Sequence, residues 1–273
     1  MLRKKVNKMN IFIKEIKSEL KGLFFWTIGL AVLVFAGLSK FSVMADTTGN
    51  LNELIDSVPK ILRALFGFVN LDLSTIAGYF GILFNYIVLM GIIYAAMMGS
   101  KLVAKEELMQ TSEFLLVKPR SRKSILFSKM LAGLLMITLF SAFTYFISLA
   151  AIEMFSSEPG IQLLVMNETL SMFIVMILFF FLGIFTATLV KKPRTAQKLT
   201  MSIVFITFML SILYDMMDTP GIVRYLTPFR YFPIAEIIDT LALNSQFLLL
   251  SMALIVGLLS SSIRNYNNRD MAI

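Results

Sequence analysis

The sequence contains no cysteine and no histidine. Without cysteine there are no disulfides, thiolate metal ligands or cysteine nucleophiles. Without histidine the commonest general base and metal ligand is missing. These two absences disfavour most hydrolases and metalloenzymes. Charge is also scarce, because 15% of the 273 residues are Asp, Glu, Lys or Arg, against about 25% in a typical soluble domain.

Apolar residues are abundant and lie in long runs. Hydrophobic residues make up 58% of the chain, and the mean hydropathy is +0.81. At 1.5 Å per residue, about 20 apolar residues cross a hydrocarbon core of ~30 Å. Six runs predict an all-α, polytopic membrane protein with a single transmembrane domain over residues 1–273. The predicted spans are 23–43, 76–101, 125–151, 170–190, 199–217 and 247–263.

Shorter segments have the spacing of amphipathic surface helices. In residues 1–21 an apolar stripe stands opposite a face that carries lysines and Glu15, which is typical of a helix in the headgroup plane. A solvated basic tail is the alternative. Residues 51–66 show similar spacing on the other side of the membrane, interrupted by Pro59. A further short helix is predicted at 234–242, before the last span.

The basic residues set the predicted orientation. All but five of the 25 lysines and arginines lie on one side, in the N-terminal segment, in 101–129, in 191–198 and in the tail. Because cytoplasmic loops hold the excess of Lys and Arg, both termini are predicted to be cytoplasmic. The net charge of +8 is thereby explained by topology, and it does not indicate nucleic-acid binding.

Residues 101–124 are too polar for lipid and too patterned for a slack linker. Their acidic members are Glu106, Glu107 and Glu113. Mixed with apolar residues, these acids favour a short surface helix that offers an acidic and apolar face to a cytoplasmic partner. Pro119 would end it, and Ser121 would cap a helix that begins at Arg122. An ordinary inter-span loop is the alternative, but it does not explain the acids.

This stretch resembles the segment between spans two and three in permease subunits of type-2 ABC exporters. That segment has two acidic residues, Gly-Thr, Glu, Leu-Leu, Pro-x-Ser-Arg, Ile-Leu and Lys. The matching residues are Glu106, Glu107, Thr111, Glu113, Leu115, Leu116, Pro119, Ser121, Arg122, Ile125, Leu126 and Lys129. Gln110 departs from the family's glycine. Residues 59–67 resemble the outer amphipathic helix of the bacterial drug- and peptide-exporting branch. Residues 226–232 resemble the family's outer segment before the last span, and the Arg269–Asp270 pair resembles its C-terminal ending, so the resemblance covers nearly the whole chain.

The resemblance implies that two permeases, identical or homologous, form the translocation path in a bacterial cell membrane. Each would bind an ATP-binding subunit through the matched residues from Glu106 to Arg122. This chain has no Gly-Lys pair and therefore no P-loop, so ATP and Mg are expected on the partner ATPase. No catalytic, cofactor-binding or metal-binding residue is expected here, and the chain is not expected to be an enzyme. The expected cargo is amphipathic or hydrophobic, such as an antimicrobial peptide, a drug or a lipid-like molecule.

Polar residues within the spans are candidates for lining the path. The selected residues are Asn85, Thr207 and Ser211. Asn85 is the foremost candidate because an amide in lipid needs a partner or water. Interhelical hydrogen bonding, worth about 0.6 kcal/mol per bond, is the alternative. No charged residue is predicted deep in a span, which disfavours an ion-coupled carrier.

Small residues recur at near-four spacing on the second span and indicate close helix packing. They are Gly78, Gly81, Gly91, Ala95 and Gly99. A dimer interface and ordinary glycine tolerance in membrane helices are the two alternatives.

Two other classes of function were weighed against the exporter. A non-transporting membrane anchor or sensor could recruit a cytoplasmic partner through the same stretch, and a neighbouring gene for a P-loop ATPase would favour the exporter over it. An intramembrane enzyme is disfavoured by the missing histidine and cysteine and by the lack of paired carboxylates in the spans.

Overall fold

The computed structural model describes residues 9–45, 55, 57–69, 71–108, 122–155, 160–190, 192–217 and 221–268. Within these ranges the regular structure is helical, which confirms the all-α prediction. The helices are α1 (Met9–Ala45), α2 (Lys60–Phe66), α3 (Ile76–Leu108), α4 (Arg122–Phe155), α5 (Ile161–Leu189), α6 (Pro193–Met216), α7 (Val223–Leu226), a 3-10 helix (Pro228–Arg230), α8 (Ile234–Thr240) and α9 (Ser245–Asn268).

Six helices in the described part of the chain are long and apolar enough to cross a membrane, namely α1, α3, α4, α5, α6 and α9. They correspond to the six predicted spans, but most extend further. α5, for example, begins at Ile161 rather than at residue 170. Hydropathy marks where lipid surrounds a helix, whereas the helix itself continues through polar residues that pack on the protein.

The short surface helices follow local signals. α2 begins directly after Pro59 and ends at Gly67, whose positive φ of 77° is a left-handed cap. The earlier part of the predicted 51–66 helix falls largely outside the described residues. α8 covers most of the predicted 234–242 helix and ends at Leu241, which also has a positive φ, of 49°.

α1 continues through Gly22 without interruption, so from Met9 onward the predicted surface helix and the first span are one helix. Its burial pattern differs from the predicted one. Ile13 and Leu20 of the apolar stripe are exposed, whereas Glu15 and Glu19 lie on the buried face. Glu15 was expected on the solvated face, and this expectation is wrong because the acids are paired with lysines of α3. That residues 1–21 lie in the headgroup plane stays a prediction.

α5 is the central helix, with 67% of its most apolar window buried, against 22% or less for α1, α6 and α9. It packs closely on α3. A methyl group on Gly99 would lie 2.1 Å from the Phe180 carbonyl oxygen, and one on Gly183 would lie 2.5 Å from that of Ala96. A methyl group on Gly91 would lie 3.0 Å from the side-chain sulfur of Met176. The small residues on this part of α3 therefore serve helix packing inside one chain.

The six long helices give the bundle two ends. We name the end where α3 stops and α4 starts the basic end, after its many lysines. We name the opposite end, which carries residues 57–69, 71–75 and 221–244, the loop end.

Candidate functional site

The segment predicted to couple to an ATPase lies mostly outside the described residues. The positions concerned are Thr111, Glu113, Leu115, Leu116, Pro119 and Ser121. Glu106 and Glu107 belong to the last turn of α3, and Arg122 is the first residue of α4. Their coupling role stays a prediction. The structure does describe α3 and α4, the two helices that flank this segment. A cluster of polar side chains lies at the end of α3.

At the basic end, acids of α1 meet lysines of α3. Lys105 Nζ donates to Glu15 Oε2 at 3.1 Å and lies 3.7 Å from Glu19 Oε1. Lys101 Nζ donates to Glu19 Oε2 at 3.0 Å. Lys105 also donates to Ser18 Oγ at 2.6 Å. We name these five residues the basic-end cluster.

Burial makes this cluster significant. Glu15 is 3% exposed and Glu19 is 6% exposed, so both carboxylates have lost most of their water. Buried charges are retained when they are paired and hydrogen-bonded, and removal of one partner is strongly destabilising. The cluster therefore fixes the first turns of α1 to the last turns of α3.

α4 is attached to the same part of α3 through Lys129. This side chain is 2% exposed, and its Nζ donates to the Leu102 carbonyl oxygen at 2.6 Å. Leu102 lies between the two lysines of the basic-end cluster. The end of α3 is thus held by α1 through carboxylates and by α4 through an ammonium group, next to the predicted coupling segment.

At the loop end, Arg230 joins α3 to α6. Its Nη1 donates to Asn85 Oδ1 of α3 at 2.9 Å, and its Nη2 donates to Asp215 Oδ2 of α6. Asn85 Nδ2 donates to the Gly81 carbonyl oxygen at 3.2 Å. We name Asn85, Asp215 and Arg230 the loop-end cluster. The amide predicted to need a partner in the span finds it in an arginine that lies 145 positions further along the chain.

The loop that carries Arg230 is itself well ordered by polar contacts. Arg224 Nη2 donates to Glu236 Oε2 at 2.7 Å, and the Arg224 guanidinium lies 4.3 Å from the ring centre of Phe247. Tyr231 donates to the Tyr225 carbonyl oxygen at 2.8 Å. Burial raises the pKa of Tyr231 to about 12, so its hydroxyl keeps the donated proton at neutral pH. These contacts hold the loop in place and thereby position Arg230.

The other two pathway candidates make bonds within their own helix. Thr207 Oγ1 donates to the Ile203 carbonyl oxygen at 2.8 Å, and Ser211 Oγ donates to that of Phe208 at 2.7 Å. Asn85 and Ser211 line a common cavity of about 30 Å³, together with Arg230. This volume holds a water molecule or two and is far too small for a cargo molecule. Thr207 instead accepts a bond from Thr227 through its backbone carbonyl.

Many other polar side chains of the spans form hydrogen bonds within their own helix or with a neighbouring helix. Thr144 Oγ1 donates to the Phe140 carbonyl oxygen in α4 at 2.9 Å. The hydroxyls of Thr186 and Thr200 lie 2.6 Å apart and join α5 to α6. These contacts favour helix packing as the role of such residues.

Glu168 corrects the expectation that no charged residue lies deep in a span. It is the eighth residue of α5, has no exposed surface, and neither carboxyl oxygen has a hydrogen-bond partner among the described residues. It was missed because the predicted span began at residue 170. The apolar residues Ile161, Leu164 and Val165 before it were the available signal for an earlier start.

The described residues define the structural class of the protein. They form a multi-pass, all-α membrane protein, and they contain no group of three or more acidic residues that could hold a metal ion. A family model described as "ABC-2 family transporter protein" matches residues 9–271. The chain therefore belongs to this family and is a membrane permease component of an ABC transporter. Among curated proteins, no sequence matches the chain significantly.

Proposed function

We propose that this chain is the membrane-spanning subunit of an ATP-driven exporter. It pairs with a second permease to form the translocation path, and each permease binds a separate ATP-binding subunit at its basic end. The observation that carries the proposal is the basic-end cluster, together with the Lys129 contact. The cluster joins α3 to α1 and the Lys129 contact joins α4 to α3, so the two helices that flank the predicted coupling segment are linked to each other and, through α3, to the first helix.

The cluster provides a mechanical connection through which the closure of the ATP-binding subunits reaches the membrane helices. Closure of the ATP-binding subunits presses on residues 106–121, which connect α3 to α4. Because α1 is bound to α3 through two buried carboxylates, α1 moves with them. α1 has 37 residues, which corresponds to a rod of about 55 Å. A displacement at the basic end then becomes a tilt that reaches the loop end.

The loop-end cluster supports a closed outer end in this conformation. An outward route between α3 and α6 requires the Arg230 bridge between Asn85 and Asp215 to open. α1 and α6 are also among the spans least buried within the chain, which leaves faces for a second permease. Their exposed side chains are largely apolar and suit an amphipathic or hydrophobic cargo.

The orientation follows from the charges at the two ends. Lysines of α1, α3, α4 and α6 collect at the basic end, with the exception of Lys40 near the far end of α1, whereas the loop-end arginines Arg224 and Arg230 are paired with acids. Under the positive-inside rule the basic end is cytoplasmic. The proposed location is the cell membrane of a bacterium, with both termini in the cytoplasm.

The test is transport and ATP hydrolysis by the purified complex in lipid vesicles. An associated P-loop ATPase is expected to co-purify, and its hydrolysis is expected to depend on residues 105–117 of this chain. A complex that binds the ATPase but moves no cargo under any condition would favour the membrane anchor or sensor. A chain that co-purifies with no ATPase would contradict the exporter.

A further inference from the structure

A cavity of about 290 Å³ lies at the basic end, between the first turns of α4 and the last turns of α9. It is lined by Lys123, Ser124, Leu126, Phe127, Met130 and Ile263. Its size is near the lower end of the range for ligand pockets, roughly 300–1,000 Å³. It is thus about ten times larger than the water-sized cavity beside Asn85. We name it the α4–α9 groove.

The groove is apolar along its floor and cationic at one edge. Leu126 and Met130 are buried, while Phe127 is 65% exposed and borders the surroundings. Lys123 is exposed and has no ion-pair partner among the described residues. Among the described residues no acid lines the groove, and the two acids of α1 at this end, Glu15 and Glu19, are paired with α3.

The position of Lys123 adds to its attraction for anions. It is the second residue of α4, where the unpaired N–H groups and the dipole of the helix favour negative charge. Arg264 follows the groove residue Ile263 on α9 and is exposed. The groove therefore offers positive charge at the membrane surface and an apolar channel directly below it.

This combination of charge and shape matches a single kind of membrane ligand. We propose that the α4–α9 groove binds an anionic phospholipid, with its phosphate at Lys123 and an acyl chain along Phe127, Met130 and Ile263. Basic pockets between membrane helices bind anionic headgroups. The inference requires a membrane protein, which the family shows, and it does not depend on coupling to an ATPase.

Tryptophan fluorescence provides a direct test, because the chain has one tryptophan. Trp26 packs on Tyr94 with ring centres 5.6 Å apart, so Trp26→Phe is a mild change. In that background, Phe127→Trp places a reporter in the groove. The full-length protein is reconstituted in phosphatidylcholine vesicles that contain brominated phosphatidylglycerol or brominated phosphatidylcholine at equal mole fraction.

The anionic brominated lipid is expected to quench the reporter with about fivefold higher relative affinity, the contribution of one lysine near an anionic surface. Lys123→Gln should reduce this ratio to about one, whereas Lys198→Gln on α6 should leave it unchanged. Excess inorganic phosphate should not relieve the quenching, because a phosphate ion lacks the acyl chain. Relief by phosphate would indicate an anion site and overturn the lipid assignment.

A second reporter separates the groove from general surface attraction. Leu199→Trp lies on α6 beside Lys198, is exposed like Phe127, and is not among the residues that line the α4–α9 groove. Equal preference for the anionic lipid at both reporters would contradict the proposal. If a reporter variant fails to fold, unfolding temperature takes its place. Phosphatidylglycerol should then raise the melting temperature of the unmodified chain more than that of Lys123→Gln, and an equal rise would contradict the proposal.

Discussion

The two ends of the bundle are held together in different ways. At the basic end, two carboxylates and two lysines connect long helices directly to each other, and a third lysine attaches α4. At the loop end, one arginine on a three-residue 3-10 helix bridges α3 and α6. α3 takes part in both. Under the proposed function, α3 is part of a lever that is joined to α1 and α4 at the end where the ATPase acts and is bridged to α6 by Arg230 at the end where the path opens.

The largest expected effect comes from Lys105→Glu, which breaks the basic-end cluster. It would place a third acid beside Glu15 and Glu19, both buried, and loss of a buried pair costs about 3–5 kcal/mol. We expect a much lower melting temperature and little cargo transport. Thermal unfolding in lipid nanodiscs and ATP hydrolysis by the complex measure both effects.

The matched control is the exchange of both charges, Glu15→Lys with Lys105→Glu. It should recover much of the lost stability and coupling, because the pair is restored with opposite polarity. If the double variant is no better than Lys105→Glu alone, the ion pair does not join α1 to α3 in the way proposed.

Arg230→Met breaks the loop-end cluster and should lower the free energy of unfolding less than Lys105→Glu does. Asp215 and Asn85 would lose their partner, with a penalty of about 2–3 kcal/mol for groups left buried and unpaired. Because the basic end stays intact, stimulated ATP hydrolysis should persist while vesicles become leaky or lose directional transport. These properties are measured by dye retention and by ATP hydrolysis on the same vesicles.

A second variant separates stability from gating. Asp215→Leu combined with Arg230→Met removes the unpaired acid, so the melting temperature should recover while the leak remains. Recovery of both properties together would mean that Arg230 serves only folding.

Glu113→Lys tests the segment between the two helices of the basic end. Since it changes a residue proposed to touch the ATPase and none in the basic-end cluster, expression and melting temperature should hold while transport and stimulated ATP hydrolysis fall several-fold. Glu106→Gln is a milder companion change in the same segment. Normal coupling in Glu113→Lys would remove this residue from the proposed contact.

The smallest effect is expected for Glu168→Met in α5. Glu168 has no hydrogen-bond partner among the described residues, so an apolar side chain of similar volume should be neutral or stabilising by about 1 kcal/mol. Glu15→Met is the opposite case, because it removes the buried carboxylate to which Lys105 donates at 3.1 Å, and it should destabilise. Loss of transport in a well-folded Glu168→Met variant would show that this carboxyl has a function beyond packing.

Local patterns were enough to predict the helices. Apolar runs identified all six spans, and the short helix before the last span appeared as α8, but α2 begins after Pro59 rather than continuing through it as predicted. Contacts across long stretches of chain were not predictable. Glu15 finds Lys105 90 positions later, and Asn85 finds Arg230 145 positions later.

The site was predicted unevenly for the same reason. Asn85 was selected because a buried amide needs a partner, but its type and position in the sequence do not say which partner. Glu168 was missed because hydropathy ends a predicted span where polar residues begin, although the helix continues. The coupling role of the residues from Glu106 to Arg122 is predicted from family resemblance alone, and most of these residues lie outside the described ranges.

Spin-label distances test the central claim most directly, and the absence of native cysteine makes introduced cysteines the only labelling sites. One pair replaces Lys17 of α1 and Met97 of α3 near the basic end, and the other replaces Ser74 and Leu213 at the loop end. When ATP is trapped on the complex, the first distance should stay constant and the second should increase. A first distance that changes while the second stays constant would contradict the account.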